Sequence, residues 1–114
     1  MTEENRVANA IRRTGQRIEG LSDDRRKQME DMAMKVTLHE LVVFQDVKSM
    51  GQAMGRITVD EATTVYEILG GEAPSVEHWL SRSLAERIVA TTLMGELMCS
   101  MRADEIPKPK RRRR

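Results

Sequence analysis

Thr58-Val59-Asp60-Glu61-Ala62-Thr63-Thr64-Val65-Tyr66-Glu67-Ile68-Leu69-Gly70-Gly71 is the best-delimited element of the chain. Thr58 and Glu61 have the S/T-x-x-E spacing of a capping box, in which the hydroxyl accepts the third backbone N–H of the helix and the carboxylate reaches back to the N–H of the capping residue itself. The two glycines supply the backbone that ends a helix. No stretch elsewhere alternates β-branched and polar residues, so the same reading extends outward and predicts an all-α fold.

Downstream, Glu72-Ala73-Pro74 forms a turn and Ser75 is placed to cap a last helix running to about Arg102. Val76, Leu80, Leu84, Ile88, Leu93, Leu97 and Met101 are among its inward candidates. The second half is apolar nearly all round, and Thr91, Gly95 and Cys99 form a row of small side chains at i, i+4, i+8. A helix of that kind has to be covered, and a chain this short has little to cover it with. The sequence therefore predicts a homodimer with Ile88, Thr91, Met94, Gly95, Met98 and Cys99 at the interface.

Upstream, Gly51 and Gly55 weaken a long segment opened by Ser22-Asp23-Asp24. Met29, Val36, Val43, Met50 and Ile57 recur along it at every seventh position. A second capping box, Thr37-Leu38-His39-Glu40, sits inside it, so residues 22–54 form one helix or two. The first helix is expected to start behind Thr2, with Glu3 and Glu4 opposing the dipole, and to fade between Gly15 and Gly20. The expected architecture is four to five helices in a small bundle completed by homodimerisation. Residues 1–106 make a single helical domain and 107–114 a flexible basic tail.

The 114 residues are 39% hydrophobic, 32% charged and only 3% aromatic, which fits one domain and excludes a large multidomain enzyme. With Phe44, Tyr66 and Trp79 alone supplying aromatic bulk, the nine methionines are expected to fill the core. The formal charge of +1 conceals a division. Six of the 19 basic residues lie beyond Pro107, leaving 13 basic against 18 acidic residues, a net −5, through residue 106. Residues 1–27 carry +2 and residues 28–106 carry −7. A single Cys99 rules out an internal disulfide and fits an intracellular protein. The longest apolar stretch, from Ile88 to Met101, is too short and too interrupted to cross a membrane. The opening Met1-Thr2-Glu3-Glu4-Asn5 lacks the order of a secretory signal.

Catalytic chemistry is not legible. His39-Glu40 begins like a zinc-protease motif, but Val43 stands where the second histidine is required. The glycine pairs lack the lysine and hydroxyl residue of a phosphate loop. Gly55, Ile57 and Glu61 fall at positions six, eight and twelve of a calcium loop. Met50, Gln52 and Met54 nevertheless occupy the first three ligand positions, so no calcium site is expected. No enzyme activity, cofactor or metal is predicted. Thr58–Leu69, Gly70–Pro74 and Ser75–Arg82 have the order of a helix-turn-helix reader, with His78, Ser81 and Arg82 facing the bases. The long proline-containing turn and the acidic surroundings argue instead that Val76, Trp79, Leu80 and Leu84 dock this segment on its neighbours.

The basic ends carry the functional expectation. Lys108, Lys110, Arg111, Arg112, Arg113 and Arg114 cannot pack into a core and form an arm for a polyanion. Arg12, Arg13 and Arg17 extend the footprint, with Arg13 and Arg17 one helical turn apart. The leading expectation is a non-catalytic nucleic-acid-binding or nucleoprotein accessory factor without membrane association. Its alternative is a protein-interaction adaptor using a methionine-rich helical surface.

Overall fold

The computed structural model describes residues 5–33 and 36–100, and among these it contains six helices and no strand. They are α1 (Arg6–Glu19), α2 (Asp23–Ala33), α3 (Leu38–Ala53), α4 (Val59–Leu69), α5 (Val76–Ser81) and α6 (Leu84–Ser100). The all-α expectation is met, and the count of four to five is corrected to six.

Local capping accounts for the difference. Thr37 and Glu40 form the capping box in full, with Glu40 N donating to Thr37 Oγ1 at 3.1 Å and Thr37 N to Glu40 Oε1 at 2.8 Å. Residues 22–54 are therefore two helices, and the sevenfold stripe is not one helix face, since Val36 and Ile57 lie outside the helices. A further box opens α6: Glu86 N donates to Ser83 Oγ at 3.1 Å and Ser83 N to Glu86 Oε1 at 2.9 Å. It splits the helix expected from Ser75 to Arg102 into α5 and α6.

Helix α1 begins at Arg6 behind Asn5, whose side-chain oxygen accepts from Val7 N at 2.9 Å and Ala8 N at 3.1 Å. Thr2, the expected cap, lies outside the described residues. Helix α4 ends as its sequence indicates, Gly70 taking the left-handed conformation at φ 111°. A Cβ there would also meet Pro74 Cα at 3.2 Å.

Helices α1, α3, α4, α5 and α6 share one core. Leu41 and Val47 of α3, Val65, Ile68 and Leu69 of α4, Trp79 of α5, and Ala90 and Met94 of α6 are all essentially removed from solvent. Full burial of a side chain such as Leu41 or Ile68 contributes about 1.5–3 kcal/mol, against about 1 kcal/mol for a cap. Packing thus places the helices, and caps decide where they end. Helix α6 is the hub, packed against α1, α2, α3 and α4. Gly51, expected to weaken its helix, instead sits buried within α3, where a Cβ would come within 2.9 Å of Leu97 Cδ1. The close helix approach is made there, and no atom lies within 4 Å of the corresponding position on Gly95.

Candidate nucleic-acid interface

Four of the five charged residues of α1 are arginines, and they divide into two groups. Arg6 belongs to the fold. Its Nε donates to Glu61 Oε2 at 2.8 Å and its Nη2 to Glu61 Oε1 at 3.0 Å, a bidentate pair that pins the start of α1 to the start of α4. Arg6 Nη2 also reaches the Arg56 carbonyl at 3.3 Å, and Asn5 Nδ2 donates to Thr64 Oγ1 at 3.0 Å. Glu61 is only 2% exposed. The Arg6 hydrogen bond holds its carboxyl down at about 2 against the opposing effect of burial, with further help from Thr58 N–H.

The calcium-loop spacing acquires a physical meaning here. Gly55 adopts the left-handed φ of 74°, Ile57 turns into the core, and Glu61 receives a guanidinium. Among the described residues, no cluster of three His, Cys, Asp or Glu side chains is arranged to hold a metal ion.

Arg12, Arg13 and Arg17 are exposed, and among the described residues none of them pairs with a carboxylate. Neither Glu19 nor Asp24 forms an ion pair with them among the described residues, and Asp23 pairs with Arg26 at 3.4 Å. Arg6, Arg13 and Arg17 rim a cleft of about 640 Å³ between α1, α2 and α6. Its walls are largely apolar, including Ala10, Ile18, Met29, Ile88 and Leu93, and Glu96 is the one carboxylate among them. Arg12 lies off this cleft. Lys108, Lys110 and Arg111–Arg114 lie outside the described residues.

Of the residues expected at a dimer interface, one is not available on the surface. Thr91, Gly95 and Cys99 are exposed, Ile88 and Met98 are half-buried, and Met94 is completely enclosed in the subunit's own core. Met94 is unavailable to a partner because α6 is covered within the chain on its Val89, Ala90, Met94 and Leu97 side.

The candidate base readers are likewise engaged within the chain. His78 Nε2 lies 2.9 Å from the Glu67 carbonyl, Ser81 Oγ donates to the His78 carbonyl at 2.6 Å, and Arg82 pairs with Glu86. Trp79 docks the segment from a position 1% exposed, its ring 6.4 Å from Phe44 in an edge-on contact. Val76 and Leu84 are half-buried, while Leu80 remains 37% exposed.

Three features escaped the sequence. The Ser83-x-x-Glu86 box was present as a signal and simply coincided with an apolar run. The Arg6–Glu61 pair joins residues 55 apart and has no local signature. The buried indole N–H of Trp79 has no acceptor among the described residues, a cost of about 1–3 kcal/mol that composition cannot reveal. No helix among the described residues is long and apolar enough to cross a membrane. Comparison with protein-family models, curated proteins and solved structures finds no match to this chain.

Proposed function

We propose that the chain is a non-catalytic nucleic-acid-binding accessory protein acting inside the cell, with Arg12, Arg13 and Arg17 making phosphate contacts. Lys108, Lys110 and Arg111–Arg114 extend the grip as a basic arm. One observation carries the reading: three exposed arginines crowd one helix without a carboxylate partner among the described residues. Arg6, Arg26 and Arg82 of the same body are each paired. Uncompensated cations on a rigid helix release counterions from a phosphate backbone without first breaking an ion pair.

The test is the salt dependence of binding to a labelled duplex, measured by anisotropy. Each lost phosphate contact lowers the magnitude of the log–log slope by about 0.9. Arg12→Gln, Arg13→Gln and Arg17→Gln combined should flatten it by about 2–3, and removal of residues 107–114 should flatten it further. No association at low ionic strength, or an unchanged slope in both variants, overturns the proposal.

The arginine-rimmed cleft favours a second reading, an adaptor that receives an acidic amphipathic helix. On that reading the tail truncation leaves partner capture intact. Self-association through the exposed Thr91, Gly95 and Cys99 row is part of the proposal. A monomeric mass by light scattering at concentrations well above those used for binding removes it.

A further inference from the structure

The cleft between α1, α2 and α6 has two unlike ends. Helices α1 and α6 run antiparallel along it: a Cβ on Gly15 would stand 3.9 Å from Ala85 Cβ, and Glu96, near the far end of α6, bears on Arg6 at the start of α1. Arg6 is held above its ordinary value first by the Glu61 hydrogen bond and to a lesser extent by Glu96, so the positive charge at that end is already answered. Arg13 and Arg17 lie seven and eleven residues further along α1, about 10 and 16 Å away in helix rise. Both are exposed, both line the cleft, and neither pairs with a carboxylate among the described residues.

Below the arginines the wall is hydrocarbon. Ala10, Ile18, Leu21, Met29, Ile88 and Leu93 are all only half-buried, so apolar surface is left facing the cleft. The α1 wall from Arg6 to Ile18 is about 18 Å long at about 1.5 Å per residue, so the volume of about 640 Å³ corresponds to a mean cross-section of about 36 Å². An α-helix with its side chains is about 10 Å across and has a section of about 80 Å². It would rest on the opening with only side chains inside, whereas one extended alkyl chain lies along the floor. The volume falls within the range of small-molecule sites, about 300 to 1,000 Å³. The paired arginines select the head. One bidentate guanidinium occupies both oxygens of a carboxylate, while a phosphate monoester has three free oxygens and serves two guanidiniums one helical turn apart.

We propose that this cleft binds a single-chain lipid monomer with a phosphate monoester head, the phosphate held by Arg13 and Arg17 and the alkyl chain laid against Ile18, Met29, Ile88 and Leu93. The site does not rest on the nucleic-acid reading, because its occupation requires no polymer and Arg12, which does not line the cleft, takes no part in it.

The full-length chain is titrated calorimetrically with decyl phosphate below its aggregation limit and, separately, with inorganic phosphate and with decyltrimethylammonium. A proton–carbon spectrum follows the methyl groups of Ile18, Met29, Ile88 and Leu93. Decyl phosphate should bind saturably, shift these methyls and raise the melting temperature, as a ligand of the folded state does. Inorganic phosphate and the alkyl cation should each bind at least tenfold more weakly. Arg13→Gln combined with Arg17→Gln should weaken decyl phosphate at least tenfold, while Arg12→Gln should leave it within twofold. Thr92→Trp, at an exposed position on the cleft wall, should weaken the alkyl ligand at least tenfold with the melting temperature of the free protein unchanged. The proposal is overturned by the absence of saturable binding, by a melting temperature that falls on titration, or by equal affinity for inorganic phosphate or the cation. It is overturned equally if an acidic amphipathic peptide shifts these methyls and decyl phosphate does not.

Discussion

Replacing Glu61 by Gln isolates the charge in the Arg6–Glu61 clasp, because an amide oxygen can still accept from Thr58 N–H and keep the capping box of α4. The Glu61 carboxyl is held at about 2 in place of 4.5, chiefly by the Arg6 hydrogen bond and against the effect of burial. At about 1.36 kcal/mol per pH unit, this gap corresponds to about 3 kcal/mol. The Arg6 side chain is 68% exposed, so water screens the pair, and about 2 kcal/mol is the expected contribution. The sign follows from a folded-state value depressed below the unfolded one. The contribution is fully present above about pH 4.5 and is lost as pH falls toward about 2. Urea unfolding followed by far-ultraviolet circular dichroism, at steps from neutral pH to pH 2, reads the difference between wild type and Glu61→Gln. The difference should be about 2 kcal/mol at neutrality and close to zero at the acid end. A difference that is constant across this range refutes the assignment of the clasp as the titrating contact. Arg6→Met, which strands a buried carboxylate, should cost about 3–5 kcal/mol at neutral pH, more than removal of the carboxylate itself.

Three further outcomes follow from backbone and packing. Gly95→Ala, in open space on α6, should raise stability by about 0.5–1 kcal/mol in chemical denaturation, whereas Gly51→Ala should forfeit that gain against Leu97 Cδ1. Equal effects at the two sites count against the close α3–α6 approach. Ser83→Ala should cost about 1 kcal/mol in thermal melts by removing the acceptor for Glu86 N–H, and a neutral result places the start of α6 elsewhere. Gly70→Ala, forced into a left-handed φ and against Pro74, should cost about 1–3 kcal/mol, which the same melts would detect.

The sequence by itself determined what is set within a few residues. The Thr37–Glu40 and Thr58–Glu61 boxes, the Gly70 stop and the absence of strand pattern were all legible, because a cap satisfies backbone groups three positions away and leaves a fixed spacing. The Ser83–Glu86 box obeyed the same rule and was hidden by a hydrophobic run that reads equally well as one continuous helix. Charge division was legible too, since it depends on counting alone.

Tertiary structure decided which of those residues meet. Arg6 and Arg13 are equivalent in the sequence, yet α1 leans its start on α4 and gives Arg6 a buried carboxylate, while Arg13 is left on the rim of a cleft. Gly51 and Gly95 are both helical glycines, and only the crossing of α3 over α6 brings the Leu97 side chain against the first. Met94 is drawn into the subunit's core because α6 is covered on that side by its own chain. The physical reason is common to all three. A helix has a local hydrogen-bond code, but the partner of each face is chosen by filling volume among segments dozens of residues apart, and no short spacing records that choice.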